Sequence, residues 1–247
     1  MADKNTINQS QHNAKKVLCA AYEAFATWHQ QDASVRINTL TTALEFFRQS
    51  NRQSKDTQPK ETFDKMAKWQ LDNASKHIVE KQLMPGPTGE VNELSLQGRG
   101  VFLIRLLVAP SPTALEGLLG QVITALVTGN TVIIFGETGE DIVRKLSPFL
   151  GKDVIQHMPD SHFETLLTAN EVAGVASICT HQQAQQLQRK LASRTGSLCR
   201  LIAETDEKTL GEIVQPHYVF NFVTEKTVSN NITAIGGNAE LLALESE

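Results

Sequence analysis

Cys179 and His181 are the two residues whose types and spacing could support nucleophilic chemistry. A cysteine beside a histidine base is the usual arrangement of an activated thiolate nucleophile. The pair stands at the end of an apolar run, where strand geometry would place both side chains on one face. The sequence offers no acid to orient the imidazole and no oxyanion loop beside them. We therefore favour a half-buried thiol and a solvated histidine over a catalytic pair.

The patterns that mark metal and phosphate sites are absent or incomplete. The seven histidines form no H-x-x-x-H pair and the three cysteines form no C-x-x-C pair, so we predict no metal site. Gly98-Arg99-Gly100 is half of a dinucleotide fingerprint, because Leu103 stands where the third glycine belongs. Gly136-Glu137-Thr138-Gly139 lacks the Lys-Ser/Thr of a phosphate loop and carries carboxylates that would repel phosphate.

Length and composition exclude several classes of protein. The chain has 247 residues, a net charge of -4 and 40% hydrophobic residues, which allows one large domain or a domain with a helical appendage. The acidic balance argues against nucleic acid as a partner. The longest apolar stretch, 122–135, is interrupted by polar residues and is shorter than the roughly 20 residues that span a membrane. A polar N-terminus and three scattered cysteines indicate a reducing compartment, so we expect a cytoplasmic protein.

The elements that must position these residues begin with helices. Apolar residues recur every three or four positions between Ala14 and Trp28, which predicts one amphipathic helix. Ser34 is placed to cap a second helix that ends near Phe47. The polar run 49–60 predicts an exposed loop, and a third helix from Phe63 to Ile78 should end before the Pro-Gly-rich segment 85–89.

From Gly100 onward, short apolar runs alternate with segments of helical periodicity. This alternation predicts a Rossmann-like α/β domain, with a mostly parallel sheet covered by helices on both faces. Ser111 and Pro112 form a fitting N-cap and first-turn pair, and Thr113 with Glu116 has the spacing of a capping box. The predicted strands are Val101–Ile104, Thr131–Phe135, Val154–Met158, Val172–Ile178 and Leu198–Ile202. The predicted helices are Thr113–Val127, Asp141–Leu150, Ser161–Ala169 and Gln182–Ser193.

The C-terminal segment differs again from the domain before it. Residues 217–224 have the pattern of a strand, and the small-residue turn 233–239 leads to an apolar end at 241–244. A short apolar end after a glycine turn suits a strand that is added to the edge of another sheet. Pairing within its own chain is an equally good interpretation.

Several segments resemble the aldehyde dehydrogenase superfamily, in particular its 1-pyrroline-5-carboxylate dehydrogenase branch. They are LMPGPTGEVNELSLQGRGVFL, GQVITALVTGNTVII and LASRTGSLCRLIAET. The ending VTEKTVSNNITAIGGNAELLAL resembles the terminal motif of proline utilization A, a bifunctional proline dehydrogenase and pyrroline-carboxylate dehydrogenase. The likeness is greatest to the non-catalytic, aldehyde-dehydrogenase-like C-terminal domain of that family.

The same resemblance implies that the chemistry of the family is missing. The catalytic half that carries the cysteine nucleophile has no counterpart in this sequence, and only Glu204 matches the position of the general base. Asp206 and Glu207 replace the glycines that follow the base. The other altered positions are Pro112 for the oxyanion-hole asparagine, Phe135 for the ribose-binding lysine, Thr138 for a carboxylate, and Cys179, Thr180 and His181 for a Gly-Ser-Thr turn at the pyrophosphate. If Phe135 and Cys179 point inward, we expect a closed or distorted cofactor pocket.

These observations predict three segments and a function. The segments are an N-terminal helical layer at 1–84, a Rossmann-like domain at 85–215 and a C-terminal β-flap for oligomerisation at 216–247. We expect a non-catalytic protein of proline catabolism that associates with itself or with a proline-catabolic dehydrogenase, and that binds no cofactor, or NAD if the cleft is open. The alternatives are an NAD-dependent 1-pyrroline-5-carboxylate dehydrogenase-related enzyme and a non-catalytic nucleotide-binding module. The residues expected to carry association are Thr233, Gly236, Gly237, Asn238, Leu241 and Leu242.

Overall fold

Three helices form the N-terminal part of the chain. The computed structural model describes residues 4–52, 64–87 and 89–231. The helices are α1 (Lys4–Trp28), α2 (Ala33–Arg52) and α3 (Lys65–His77). Ala14, Leu18, Ala21 and Trp28 are buried along one side of α1, which confirms the predicted stripe.

Two predictions for this part of the chain need correction. The second helix begins at Ala33, and the carbonyl of Asp32 accepts from the N–H groups of Val35 and Arg36. Ser34 therefore lies inside the first turn and is not the N-cap. The predicted loop at 49–60 is helical as far as Arg52, and its remainder lies outside the described residues, as does Phe63.

Two strands follow the third helix, one on each side of the Pro-Gly-rich segment 85–89. α3 ends at His77, and β1 (Gln82–Met84) and β2 (Glu90–Gly98) follow as an antiparallel pair. Both strands are polar or exposed over most of their length, so they lack the apolar run that marks a strand in the sequence.

The centre of the fold is a five-stranded parallel sheet. Its strands lie in the order β5-β4-β3-β6-β7, and all four pairings are parallel. The Rossmann-like α/β prediction is therefore confirmed. The strands are β3 (Val101–Leu106), β4 (Thr131–Phe135), β5 (Ile155–Met158), β6 (Val172–Ile178) and β7 (Arg200–Glu204). Leu198 was expected in the last strand, but it precedes β7 and its side chain is 97% exposed.

Helices cover both faces of this sheet. They are α4 (Pro112–Val127), α5 (Glu137–Leu146), α6 (Phe163–Leu167) and α7 (His181–Ala192). Helices α2 to α5 contribute to one hydrophobic cluster, α6 and α7 contribute to the other, and α1 contributes to both. The side chains of β4 alternate between them, with Ile134 in the first cluster and Phe135 in the second. Such burial on both faces explains why the strands read as continuous apolar runs.

Helix α4 begins as the sequence predicts, although one detail differs. Ser111 Oγ accepts a hydrogen bond of 3.1 Å from the N–H of Ala114, and Pro112 occupies the first turn. The spacing of Thr113 and Glu116 does not produce a second cap. The carboxylate of Glu116 instead accepts from the N–H of Met66, at 3.2 Å, and so joins α4 to α3.

The last described strand, β8 (Val223–Asn231), pairs antiparallel with β2 over nine residue pairs, from Gly98↔Val223 to Glu90↔Asn231. The three-stranded sheet β1-β2-β8 thus takes one strand from each of the predicted segments at 1–84, 85–215 and 216–247. The expected association residues Thr233, Gly236, Gly237, Asn238, Leu241 and Leu242 lie outside the described residues.

Asn130 joins the two sheets where they meet. Its Oδ1 accepts from the N–H groups of Arg99 and Gly100, at 2.6 and 3.0 Å, in the link between β2 and β3. Its Nδ2 donates to the carbonyl oxygens of Phe222, just before β8, and Ala125 in α4. One buried amide therefore satisfies four backbone groups from three parts of the chain.

Candidate functional site

The residues that the sequence singled out gather at the carboxyl ends of the parallel strands. Pro112 follows β3, Phe135 ends β4, Cys179 follows β6 and Glu204 ends β7. The strand order reverses direction between β3 and β6, and ligands of open α/β sheets bind in the crevice at such a switch point. This edge of the sheet is therefore the candidate functional site.

The chain bridges this crevice with its own polar groups. The N–H of Leu107, after β3, donates to the carbonyl of Ile178 at 2.9 Å. The side-chain amide of Gln183, in the first turn of α7, donates to the carbonyl of Leu107 at 3.1 Å and accepts from the N–H of Thr180 at 2.8 Å. Thr180 Oγ1 in turn accepts from the N–H of Gln183. The N–H groups of Thr180 and Gln183 at this helix start are thus occupied by side chains of the chain itself.

The end of β4 is packed and acidic. The Phe135 side chain is 2% exposed and meets Phe163 edge-on, with 5.1 Å between ring centroids. At the position that the resemblance assigns to a ribose-binding lysine, the side chain therefore belongs to the hydrophobic core. Gly136 follows with a φ of 82°, and Glu137 and Glu140 lie in the first turn of α5. Carboxylates at a helix N-terminus satisfy its dipole and oppose phosphate binding.

A further carboxylate lies against the same turn. The Asp160 oxygens are 3.4 and 3.6 Å from the position that a Cβ on Gly136 would occupy. Asp160 forms an ion pair with Arg105, with an Nε–Oδ1 distance of 2.8 Å, and the Arg105 guanidinium lies 4.9 Å from the centre of the Phe163 ring. The cation closest to this edge of β3 is therefore engaged by the chain's own acid and ring.

Cys179 and His181 do not form a catalytic pair. The Cys179 side chain is 2% exposed, so the thiol is more deeply buried than expected. His181 is exposed and begins α7, so the two side chains do not share a strand face as strand geometry predicted. Burial raises the pKa of the Cys179 thiol; contact with Ser177 lowers it and the Glu204 carboxylate raises it further. The thiol stays protonated at neutral pH and is a weak nucleophile.

Glu204 is buried and holds the loop that follows it. Its Oε1 accepts from the N–H of Asp206 at 2.9 Å, and its Oε2 accepts from the N–H groups of Glu212 and Ile213 at 2.8 and 3.1 Å. The side chain is 1% exposed. A carboxylate that accepts three backbone hydrogen bonds is a structural anchor for a loop. The one position that matches the family's general base is thus used for packing.

The same loop is held from its other side by α3, through contacts that the sequence did not reveal. The side-chain amide of Gln70 donates to the carbonyl of Ile213, and the indole of Trp69 donates to the carbonyl of Val214 at 2.9 Å. Trp69 therefore fastens α3 to this loop. Trp28 makes a similar contact in the core, where its indole donates to Leu126. Their partners are 98 to 145 residues away, a distance over which no local pattern carries information.

The glycines at the amino end of β3 have packing roles and lie away from the crevice. A Cβ on Gly98 would lie 2.7 Å from the backbone of Gly129, and Gly100 has a φ of 143°. Both precede β3, whereas a dinucleotide fingerprint follows its strand. The Gly98-Arg99-Gly100 segment is therefore a close crossing of two chain segments.

Within the described ranges, no cluster of three or more His, Cys, Asp or Glu side chains could hold a metal ion. No helix in the same ranges is both long and apolar enough to cross a bilayer.

No protein-family model matches this sequence. The bifunctional protein PutA of Rhizobium meliloti is 29% identical over 165 residues, which cover 65% of this chain and 12% of that protein. A mutant of proline utilization A (PutA) from Bradyrhizobium japonicum superposes with a TM-score of 0.68 and 26% identity, over 82% of this chain and 24% of the other. An indole-3-acetaldehyde dehydrogenase shares the fold, with a TM-score of 0.64 and 16% identity over 79% of this chain and 50% of its own. The chain thus spans about an eighth of its curated relative.

Proposed function

This chain is a PutA-like member of the aldehyde dehydrogenase superfamily, and we propose that it is a non-catalytic association module of proline catabolism. It joins a second copy of itself, or covers a catalytic dehydrogenase of the same pathway, through the antiparallel sheet β1-β2-β8 together with the expected association residues that follow β8 in the sequence. The Rossmann-like domain serves as the rigid support that holds this sheet.

The observation that carries this proposal is the exposure of the sheet. In the described residues, β1 and β8 are its edge strands. Eight of the nine residues of β8 are exposed, and Leu83 in β1 is 76% exposed. A long exposed edge offers unpaired backbone groups to another chain, and apolar side chains beside it favour pairing over solvation.

The state of the crevice supports the non-catalytic part of the proposal. Gln183 and Leu107 bridge the switch point, burial keeps the Cys179 thiol protonated, and Glu204 is bonded to three backbone amides. Pro112 has no N–H and no side-chain amide to stabilise an oxyanion.

Removal of the residues after Asn230 tests the proposal. Sedimentation velocity at several concentrations, alone and with purified PutA, should show association for the full chain and a monomer for the truncated one. Circular dichroism checks that the truncated chain is folded, and L198S is a matched control at an exposed site outside the sheet. Unchanged association of the folded, truncated chain would contradict the proposal.

A non-catalytic nucleotide-binding module is the second candidate, because the order of the five parallel strands is that of dinucleotide-binding domains. An NAD-dependent dehydrogenase is the third. The solved neighbours include an NAD-dependent benzaldehyde dehydrogenase, at 16% identity. Calorimetric titration with NAD separates these candidates from ours: we expect no saturable heat up to millimolar NAD. Reduction of NAD with 1-pyrroline-5-carboxylate would establish the enzyme instead.

A further inference from the structure

A cavity of about 780 Å³ lies away from the crevice, where the antiparallel sheet meets α3. The end of α3 provides Lys76 and His77, the sheet provides Leu94, Leu96 and Val223, and Arg99 stands where β2 passes into β3. This volume falls in the range of cavities that bind small molecules. The cavity is separate from the residues assigned to the crevice.

Positive charge collects at the Arg99 end of this cavity. Arg99 and Arg200 repel each other, and burial together with this repulsion lowers the pKa of Arg99. Within the described part of the chain, no carboxylate forms an ion pair with either guanidinium. Arg200 donates to the amide oxygen of Asn221, a neutral group. Two neighbouring guanidiniums without a carboxylate partner favour an anion between them.

The cavity lining carries further charged side chains of both signs. Lys81 is paired with Glu93 at 3.1 Å, and the Lys76 ammonium lies 5.9 Å from the centre of the Trp69 ring. Glu80 and Glu225 are the acids of the lining. Glu80 lies in the connection between α3 and β1, and Glu225 is the third residue of β8.

An aromatic and aliphatic wall lies beside these cations. Phe220 is 39% exposed, with its ring centroid 5.4 Å from that of His77 and 5.8 Å from that of His217, on which it stacks. Leu94, Leu96 and Val223 extend the apolar surface. A hydrated inorganic ion would leave this wall uncovered, whereas an organic anion would cover it.

We propose that this cavity binds a small organic anion, whose carboxylate or phosphate lies at Arg99 and whose apolar or aromatic body lies against Phe220. The ligand contacts α3 on one side and β2 and β8 on the other. It therefore fixes the antiparallel sheet against the rest of the fold.

Calorimetric titration of the full chain with benzoate and phenyl phosphate tests the proposal and separates the two anion types. We expect saturable binding of at least one of them, and at least tenfold weaker binding of benzamide, which has the same ring without the charge. R99Q should weaken the binding of the anion at least tenfold. R189Q removes an exposed arginine on α7, outside the cavity, and should bind like the original chain.

Three results would overturn the proposal: no saturable binding of either anion up to 10 mM (about the affinity floor of the method), equal binding of benzamide, or unchanged affinity in R99Q. Urea denaturation of R99Q and R189Q checks that both are folded. F220A keeps the cations and removes the ring. It should therefore weaken the binding of phenyl phosphate and leave the binding of inorganic phosphate unchanged. Equal losses of affinity for the two ligands would also contradict the assignment.

Discussion

The carboxylate of Glu204 accepts a hydrogen bond from the backbone N–H of Ile213 at 3.1 Å, nine residues further along the chain. Ile213 is fully buried against α4, where a Cβ on Gly117 would lie 3.3 Å from its side chain. The loop after β7 is thus held against α4 by the Glu204 carboxylate, which precedes the loop, and by the buried side chain of Ile213 within it. At the position where the resemblance led us to expect a general base, the carboxylate thus serves the fold.

Replacement of Glu204 should therefore lower stability. E204Q keeps the size of the side chain but turns one acceptor into a donor that faces backbone N–H groups. Because hydrogen bonds to charged groups contribute about 1.5–3 kcal/mol, we expect a loss of about 3 kcal/mol in the free energy of unfolding, measured with urea. E171Q, at an exposed carboxylate, should change it by less than about 0.5 kcal/mol. Equal stability of E204Q and the original chain would show that the three contacts are dispensable.

Tyr218 should make stability depend on alkaline pH. Its hydroxyl accepts from the side-chain amide of Gln121 at 3.2 Å, and complete burial raises its pKa far above the usual value. In the unfolded chain the phenol ionises near pH 10, whereas in the folded chain it stays neutral. This contribution is therefore fully present below pH 10 and is lost as the pH rises above it.

Urea denaturation at pH 8 and pH 10.8 measures this effect. Y218F should be less stable at pH 8 by about 1 kcal/mol, because Gln121 loses a partner. Its stability should fall less than that of the original chain between the two pH values. Parallel decreases in the two proteins would assign the alkaline loss to other groups. Y22F, at an exposed tyrosine, is the matched control.

Cys19 and Cys179 should differ in their reactivity towards alkylating reagents. Cys19 is exposed and Cys179 is buried, and burial raises the pKa of the Cys179 thiol. Iodoacetamide at pH 7.5, followed by peptide mass spectrometry, should label Cys19 within minutes and Cys179 only after urea is added. Rapid labelling of Cys179 in the folded chain would contradict this and would show that its thiol is a reactive nucleophile.

A charge on the exposed edge should weaken association. L83E places a carboxylate in β1, where the side chain is 76% exposed, so the fold itself should lose less than about 0.5 kcal/mol. If β1 takes part in pairing, sedimentation velocity should show at least a tenfold weaker association. V35E carries the same change at an exposed position on α2 and should associate normally. Loss of association in both variants would point to net charge as the cause.

Much of the fold could be predicted because its signals are local. Strands β4 and β6 coincide with their predicted limits, since each is an apolar run buried on both faces. Ser111 caps α4 as expected, because the cap and its partner are three residues apart. In contrast, β1 has only three residues, all exposed, and β2 is a half-buried mixture of polar and apolar residues. Only the pairing of β2 with β1 and with β8 shows that they are strands.

The candidate site was harder to predict, since its contacts join distant parts of the chain. Sequence position showed that Phe135 and Cys179 depart from the family pattern, but not that both side chains are buried. The bridge from Gln183 to Leu107 spans 76 residues. Glu204 carries the residue type of a general base, and only the three-dimensional positions of Asp206, Glu212 and Ile213 reveal its other role.

Asn130 has a consequence for how the molecule opens. The amide protons of Arg99 and Gly100 are held by its side chain, which also binds the carbonyl group of Phe222 at the start of β8. These protons cannot exchange with solvent through local fraying of the antiparallel sheet, because their acceptor is anchored to α4. Hydrogen exchange at Arg99 and Gly100 should therefore follow the global opening of the domain, while the outer residues of β8 exchange far sooner. We therefore expect the junction between the sheets to separate residues of β8 that open locally from a domain that opens only as a whole.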